Sequence, residues 1–260
     1  MSRLAALVLI LSTAAAAAPQ TETPRGREEA PPTEVTRRAE AEAREVITSF
    51  DAARKDYLAR LTALPPGPER DRFAVSGRPD PLGYAARAWA ALRRAPATPS
   101  LLDETLWVYR EGGSGPDAAA ALERLAVGHA GDDGLAALFP LMHYRAEPRA
   151  AEICRALRRK SSSRRIRAEA IYALSRLEFG IDGDPARGEA LLVELERDFA
   201  GVRRAGGTFG ELAARELFAL RHLAVGREAP DIRGRDVDDR PLTLSEHRGK
   251  VVLLSFWGDW

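Results

Sequence analysis

Glu147-Pro148-Arg149-Ala150-Ala151-Glu152-Ile153-Cys154-Arg155-Ala156-Leu157-Arg158-Arg159 decides how this chain is read. Proline stands where a helix starts, because its fixed φ suits the first turn and its missing N–H is not needed there. Ala150, Ile153, Cys154 and Leu157 then recur at i, i+3, i+4 and i+7, which is one face of an α-helix. Outward from this stretch the same layout returns at Gly115-Pro116-Asp117 and at Asp184-Pro185-Ala186, each leading into an Ala/Leu-rich amphipathic run. The three prolines stand 32 and 37 residues apart, close to the length of a helix-turn-helix repeat. Each unit would hold two helices: 117–127 with 133–143, 148–159 with 163–179, and 185–199 with 209–223. Two readings stay open, a stacked helix-hairpin repeat with extended faces for a protein partner and an irregular helical domain.

Upstream, Ala43, Val46, Phe50, Ala53, Tyr57, Leu61 and Leu64 recur at three- and four-residue steps, predicting an amphipathic helix over 35–64. Pro65-Pro66-Gly67-Pro68 ends it. A polar loop follows, then helices over 82–94 and 101–110. The amino terminus, a basic Arg3 followed by an apolar stretch and Ala14 to Ala18, reads as a signal peptide over 1–18, too short for a stable membrane anchor. Residues 19–33, rich in Pro, Glu, Thr and Arg, read as a flexible tether. The expected organisation is therefore an exported chain, periplasmic or extracellular, with a helical domain over 34–225.

The 39 basic and 38 acidic residues of the 260 nearly cancel, so no overall field recommends nucleic acid as a partner. Positive charge is almost all arginine, which reads as compositional bias. The run 155–167 carries seven positive residues without interleaved aromatics and reads as a pair of solvated helix ends. The single cysteine, Cys154, faces the core by its periodicity and should behave as a small hydrophobe. His129, His143, His222 and His247 lack the spacing of metal ligands, so no metal is expected. No nucleophile elbow, phosphate loop or zinc-protease motif occurs, and the helical body offers no catalytic constellation.

At Gly226 the pattern changes. Turn residues dominate 226–240, Asp238-Asp239 is a turn candidate, 241–244 can form a short strand, and 244–250 is a polar connector. Val251-Val252-Leu253-Leu254-Ser255-Phe256-Trp257 then reads as a strand buried on both faces, followed by a turn at Gly258-Asp259-Trp260.

Gly226, Ala229-Pro230-Asp231-Ile232, Asp236 and Asp238, Leu244-Ser245, Arg248-Gly249-Lys250-Val251-Val252-Leu253, and Phe256-Trp257 with Trp260 stand in an order and spacing that resemble the opening of a redoxin domain (AhpC/TSA type) as found in TlpA-like thiol-disulfide oxidoreductases. The resemblance covers about 35 residues, 226–260. It implies an exported thioredoxin-like α/β domain of which the first β-hairpin and strand are present, protein thiols and disulfides as partners, and no cofactor. In that family the position after Trp260 is the first cysteine of C-x-x-C. Phe256, Trp257, Gly258, Asp259 and Trp260 would then flank a catalytic pair that these residues do not contain. The expectation is an incomplete redoxin without activity, with no residue of the chain in a catalytic role. The rival expectation is a helical scaffold or binding module with a vestigial redoxin segment. On either view the segment after Gly226 should be the least ordered beyond the leader and tether, having the fewest long-range contacts.

Overall fold

The computed structural model describes residues 31–255. The leader expected over 1–18, most of the expected tether and the motif Phe256–Trp260 lie outside them. Among the described residues the protein is mainly helical, with two small antiparallel two-stranded sheets. The helices are α1 (Glu34–Ala63), α2 (Pro68–Ser76), α3 (Pro81–Leu92), α4 (Leu102–Glu111), α5 (Pro116–Gly128), α6 (Leu138–Tyr144), α7 (Ala150–Lys160), α8 (Arg164–Glu178), α9 (Pro185–Asp198) and α10 (Phe209–His222). Strands β1 (Arg203–Arg204) and β2 (Gly207–Thr208) precede α10, and β3 (Arg233–Arg235) and β4 (Pro241–Thr243) follow it. The described residues divide into two compact units, one running to Leu217 and one from Phe218.

The proline logic holds at Pro116 and Pro185, the first residues of α5 and α9, and at Pro68 and Pro81 as well. Asp184 completes its helix start by accepting from Ala186 N–H at 3.0 Å. At Pro148 the helix begins two residues later, after a turn in which Glu147 Oε1 accepts from Arg149 N–H at 3.2 Å. The helix expected over 133–143 is divided: residues Asp133–Ala137 form a 3₁₀ turn and only Leu138 onward is α-helical. Pro140 is the cause, since it cannot donate to the carbonyl of Ala136 and its ring crowds that oxygen.

In the first unit, helices close in the chain pack: α1 on α3 past the short α2, α3 on α4, α4 on α5, α7 on α8 and α8 on α9. The middle of α4 is buried all round, from Glu104 through Tyr109. Phe50 of α1 meets Tyr84 of α3 and Trp107 of α4 edge-on at 5.2 and 5.5 Å, so three helices share one aromatic node. A further cluster, with Ile171, Leu195 and Phe209 at its centre, joins α8, α9 and the start of α10.

Three arginines fasten helix ends. Arg124 of α5 donates to the carbonyls of Leu92, Ala95 and Pro96 beyond the end of α3, at 2.8–2.9 Å, while its guanidinium lies 6.0 Å from the Trp89 ring. Arg145 donates to the carbonyls of Tyr109, Arg110 and Gly113 at the end of α4 and stacks 4.6 Å from the Tyr109 ring. Arg164 of α8 donates to Asp198 O at 2.7 Å and lies over Phe199 at the end of α9. Each supplies donors to carbonyls that a helix terminus leaves open, and its positive charge suits the negative end of the helix dipole.

In the second unit β3 and β4 pair with Arg233 opposite Thr243 and Arg235 opposite Pro241. The hairpin is therefore where the turn residues place it. Of the strand expected over 251–257, residues 256 and 257 lie outside the described residues, and Val251 to Ser255 carry no strand pairing, with Val251 fully exposed. The apolar run meets the compositional requirement for a buried strand, but a strand exists only with a hydrogen-bonded neighbour, and the β3–β4 pair does not extend to it. Among the described residues no helix is long and apolar enough to cross a membrane.

Candidate functional site

The polar residues of the Gly226–Leu253 motif build the hairpin. Asp236 Oδ1 accepts from the backbone N–H groups of Asp238 and Arg240, both at 2.9 Å, and holds the turn in which Asp239 takes a positive φ of 63°. Asp231 Oδ1 accepts from Ser245 N–H at 2.9 Å, which fixes the start of a 3₁₀ turn over Leu244–His247 beside the strand pair. That bond holds the Asp231 carboxyl below the usual carboxylate range, with Arg233 assisting. Arg248 reaches Glu228 at 2.6 Å. These are framework roles, and they bring no nucleophile, base or redox group together.

Cys154 lies where periodicity puts it, on the core face of α7 between Ile153 and Leu157, with no exposed surface. Burial pushes its thiol up to about 12, only weakly opposed by Arg155, so it is a protonated, inert sulfur at neutral pH. His129 is also buried, and neither ring nitrogen has a partner. Burial, then the neighbouring Arg124, lower its pKa, so the ring is neutral. His143, His222 and His247 do not converge with it, and among the described residues no three His, Cys, Asp or Glu side chains group as a metal centre requires.

The feature that residue patterns alone did not single out is a groove along α8 with α7 and α9 on its two sides. Arg164, Arg167, Ile171, Leu174 and Glu178 face it from α8 at steps of three and four residues. Arg155, Arg158 and Arg159 line it from α7, and Arg187, Leu191, Glu194 and Asp198 from α9. It has two lobes of about 450 and 590 Å³ that share Arg158, Arg159 and Glu194. The divide is an ion pair across the groove, with Arg158 Nε at 3.2 Å and Nη2 at 2.5 Å from the two Glu194 oxygens. The basic run read as solvated helix ends thus forms a walled depression. The signal was present in the 164, 167, 171, 174, 178 spacing, but nothing in the sequence says that α7 and α9 flank that stripe.

No family model matches the chain, and no solved structure does. It is similar to the thiol-disulfide oxidoreductase ResA of Geobacillus thermodenitrificans (strain NG80-2), with 47% identity over 38 residues, 15% of this chain and 22% of ResA. The chain therefore matches about a fifth of that relative's length. This gives a coarse redoxin likeness in one short segment.

Proposed function

We propose that this likeness takes in residues 226–260 and that the protein is an exported thiol-disulfide oxidoreductase of the redoxin, TlpA-like kind, with residues 1–18 as its leader and 34–225 as an added helical domain. The observation that supports the reading is the hairpin itself, whose motif residues Asp231 and Asp236 clamp its two ends. In such chemistry a thiolate attacks a substrate disulfide, a mixed disulfide forms, and a second thiol resolves it, leaving the substrate reduced and the enzyme oxidised. Residues 1–260 contain no such pair, and Cys154 is shut in the core of α7. In the family that this segment resembles, such a pair follows the position of Trp260.

Reading the genomic DNA beyond the Trp260 codon tests this directly. Cys-x-x-Cys in any frame, followed by a domain's worth of coding sequence, is the expected result; its absence overturns the reading. The 260-residue polypeptide should leave insulin reduction by dithiothreitol at the blank rate. Turnover that disappears on Cys154→Ser would instead make that thiol catalytic. Amino-terminal sequencing of the exported protein should begin within a few residues of Ala18.

A further inference from the structure

We propose that the groove along α8 is a docking site for an acidic, extended polypeptide segment with an apolar side chain at its centre. The charge balance comes first. Six arginines face the groove against three acidic side chains, Glu178, Glu194 and Asp198. Arg155 and Arg159 are exposed, and among the described residues their side chains make no hydrogen bond or ion pair. The Nε–H of Arg167 is buried and has no acceptor. Donors therefore outnumber the acceptors that the groove itself supplies.

The second observation is the Arg158–Glu194 bridge. Glu194 sits side-on against the Arg158 fork, so a carboxylate already occupies the seat that an acidic ligand would use. Arg158 and Glu194 are both partly accessible to water, with side chains 40% and 22% exposed, which leaves the bridge open to exchange. An incoming carboxylate displaces Glu194 and gains Arg159 beside it.

Shape sets the length and the central residue. From Arg164 to Glu178 the groove follows α8 for ~21 Å at about 1.5 Å per residue. An extended chain covers that distance with roughly six residues at about 3.3 Å each. The floor between Arg164 and Arg167 at one end and Arg187 with Glu178 at the other is aliphatic: Ile171 and Leu174 are buried beneath it and the half-buried Leu191 opens onto it, which suits one apolar side chain. Nucleic acid fits less well. The one aromatic ring in the lining, Phe199, is buried and covered by Arg164 and Arg167 at 5.4 and 6.0 Å, which leaves no open face for stacking bases.

The test uses the 260-residue protein and a fluorescein-labelled Glu-Glu-Leu-Leu-Glu-Glu peptide, read by fluorescence anisotropy. Arg155→Glu with Arg159→Glu should weaken binding roughly tenfold or more, whereas the same charge change at Arg54→Glu with Lys55→Glu on α1 should change it less than about twofold. Equal losses at the two places would reduce the effect to a general field and overturn the site. Arg155→Gln with Arg159→Gln should weaken binding in the same direction, and circular dichroism checks that both double variants keep their helices. Glu194→Gln removes the internal competitor, so it should tighten binding roughly two- to fivefold; weaker binding would overturn the exchange. A six-residue oligothymidylate should not compete. Displacement of the peptide by it at equal concentration would assign the groove to nucleic acid instead.

Discussion

The first unit and the segment after Phe218 contain similar apolar residues but differ in what covers them. Tyr109, Leu125 and Phe209 have 1% exposure or less, while no described residue from Phe218 to Ser255 is buried. The polar contacts differ in the same way. Arg124 and Arg145 bind carbonyls 28 to 36 residues away, whereas Asp231, Asp236 and Arg248 bind partners within 20 residues inside their own segment. Apolar content alone therefore does not make a core; a second surface must arrive to cover it.

The strongest way to break this contrast is in the cluster shared by α8, α9 and α10. Phe209→Ala should cost about 3–5 kcal/mol, lowering the thermal midpoint by roughly 6–20 °C. A shift under a few degrees by calorimetry would mean that this cluster does not hold the unit together.

Next in size is the alkaline limb of the stability curve. Burial pushes both the Cys154 thiol and the Tyr109 hydroxyl up to about 12, from ordinary values near 9 and 10. Unfolding releases both groups to ionise at those lower values, so the unfolded state binds fewer protons above pH 9 and stability must fall from there toward pH 12. Urea titrations across that range should show the fall, with a shallower one in Cys154→Ala. Identical slopes in the two proteins would mean that the thiol ionises as easily folded as unfolded. Aromatic thiol reagents at pH 8 should likewise reach Cys154 only after unfolding.

A helix-end clamp comes third. Arg145→Met should cost about 1–3 kcal/mol, since it strips donors from carbonyls at the end of α4. Arg145→Lys should recover little of this, because an ammonium cannot fork between separate carbonyls while stacking on Tyr109. Full recovery with lysine would reduce the contact to simple charge.

The smallest effects belong to the other side of the comparison. Val251→Ser and Leu253→Ser, at positions 104% and 80% exposed, should change stability by less than about 0.5 kcal/mol. A larger loss in urea unfolding would reveal cover for this segment.

Most of the helical architecture was legible because apolar residues at three- and four-residue steps announce a buried face, as in Ile153, Cys154 and Leu157. α2 was not, since it has no buried residue; it rests on stacking of Tyr57 with Phe73 and a bond from Tyr57 Oη–H to Ala74 O at 2.8 Å. The β1–β2 hairpin escaped for the opposite reason. It is two residues per strand, and its signal is only the Gly206-Gly207 pair, whose φ values of +80° and +141° suit glycine. The run at Val251 was read as a strand because period and composition describe a side-chain environment, and pairing is a property of another segment. For the groove, the α8 stripe was readable, but the helices flanking it were not. Arginine abundance hid the clamps for the same reason: their acceptors are backbone carbonyls about one repeat away.

Those clamps also set an order of events for a newly made chain. The carbonyls that end α3 are fastened by Arg124, and those that end α4 by Arg145, residues synthesised 28 to 36 positions later. At about 5–20 residues per second, each helix end waits roughly 1.5–7 seconds for its fastener. During that interval the carbonyls that end α3 and α4 are without those donors. The third clamp runs the other way: Arg164 precedes Asp198, so at the end of α9 the donor is already made when its acceptor arrives.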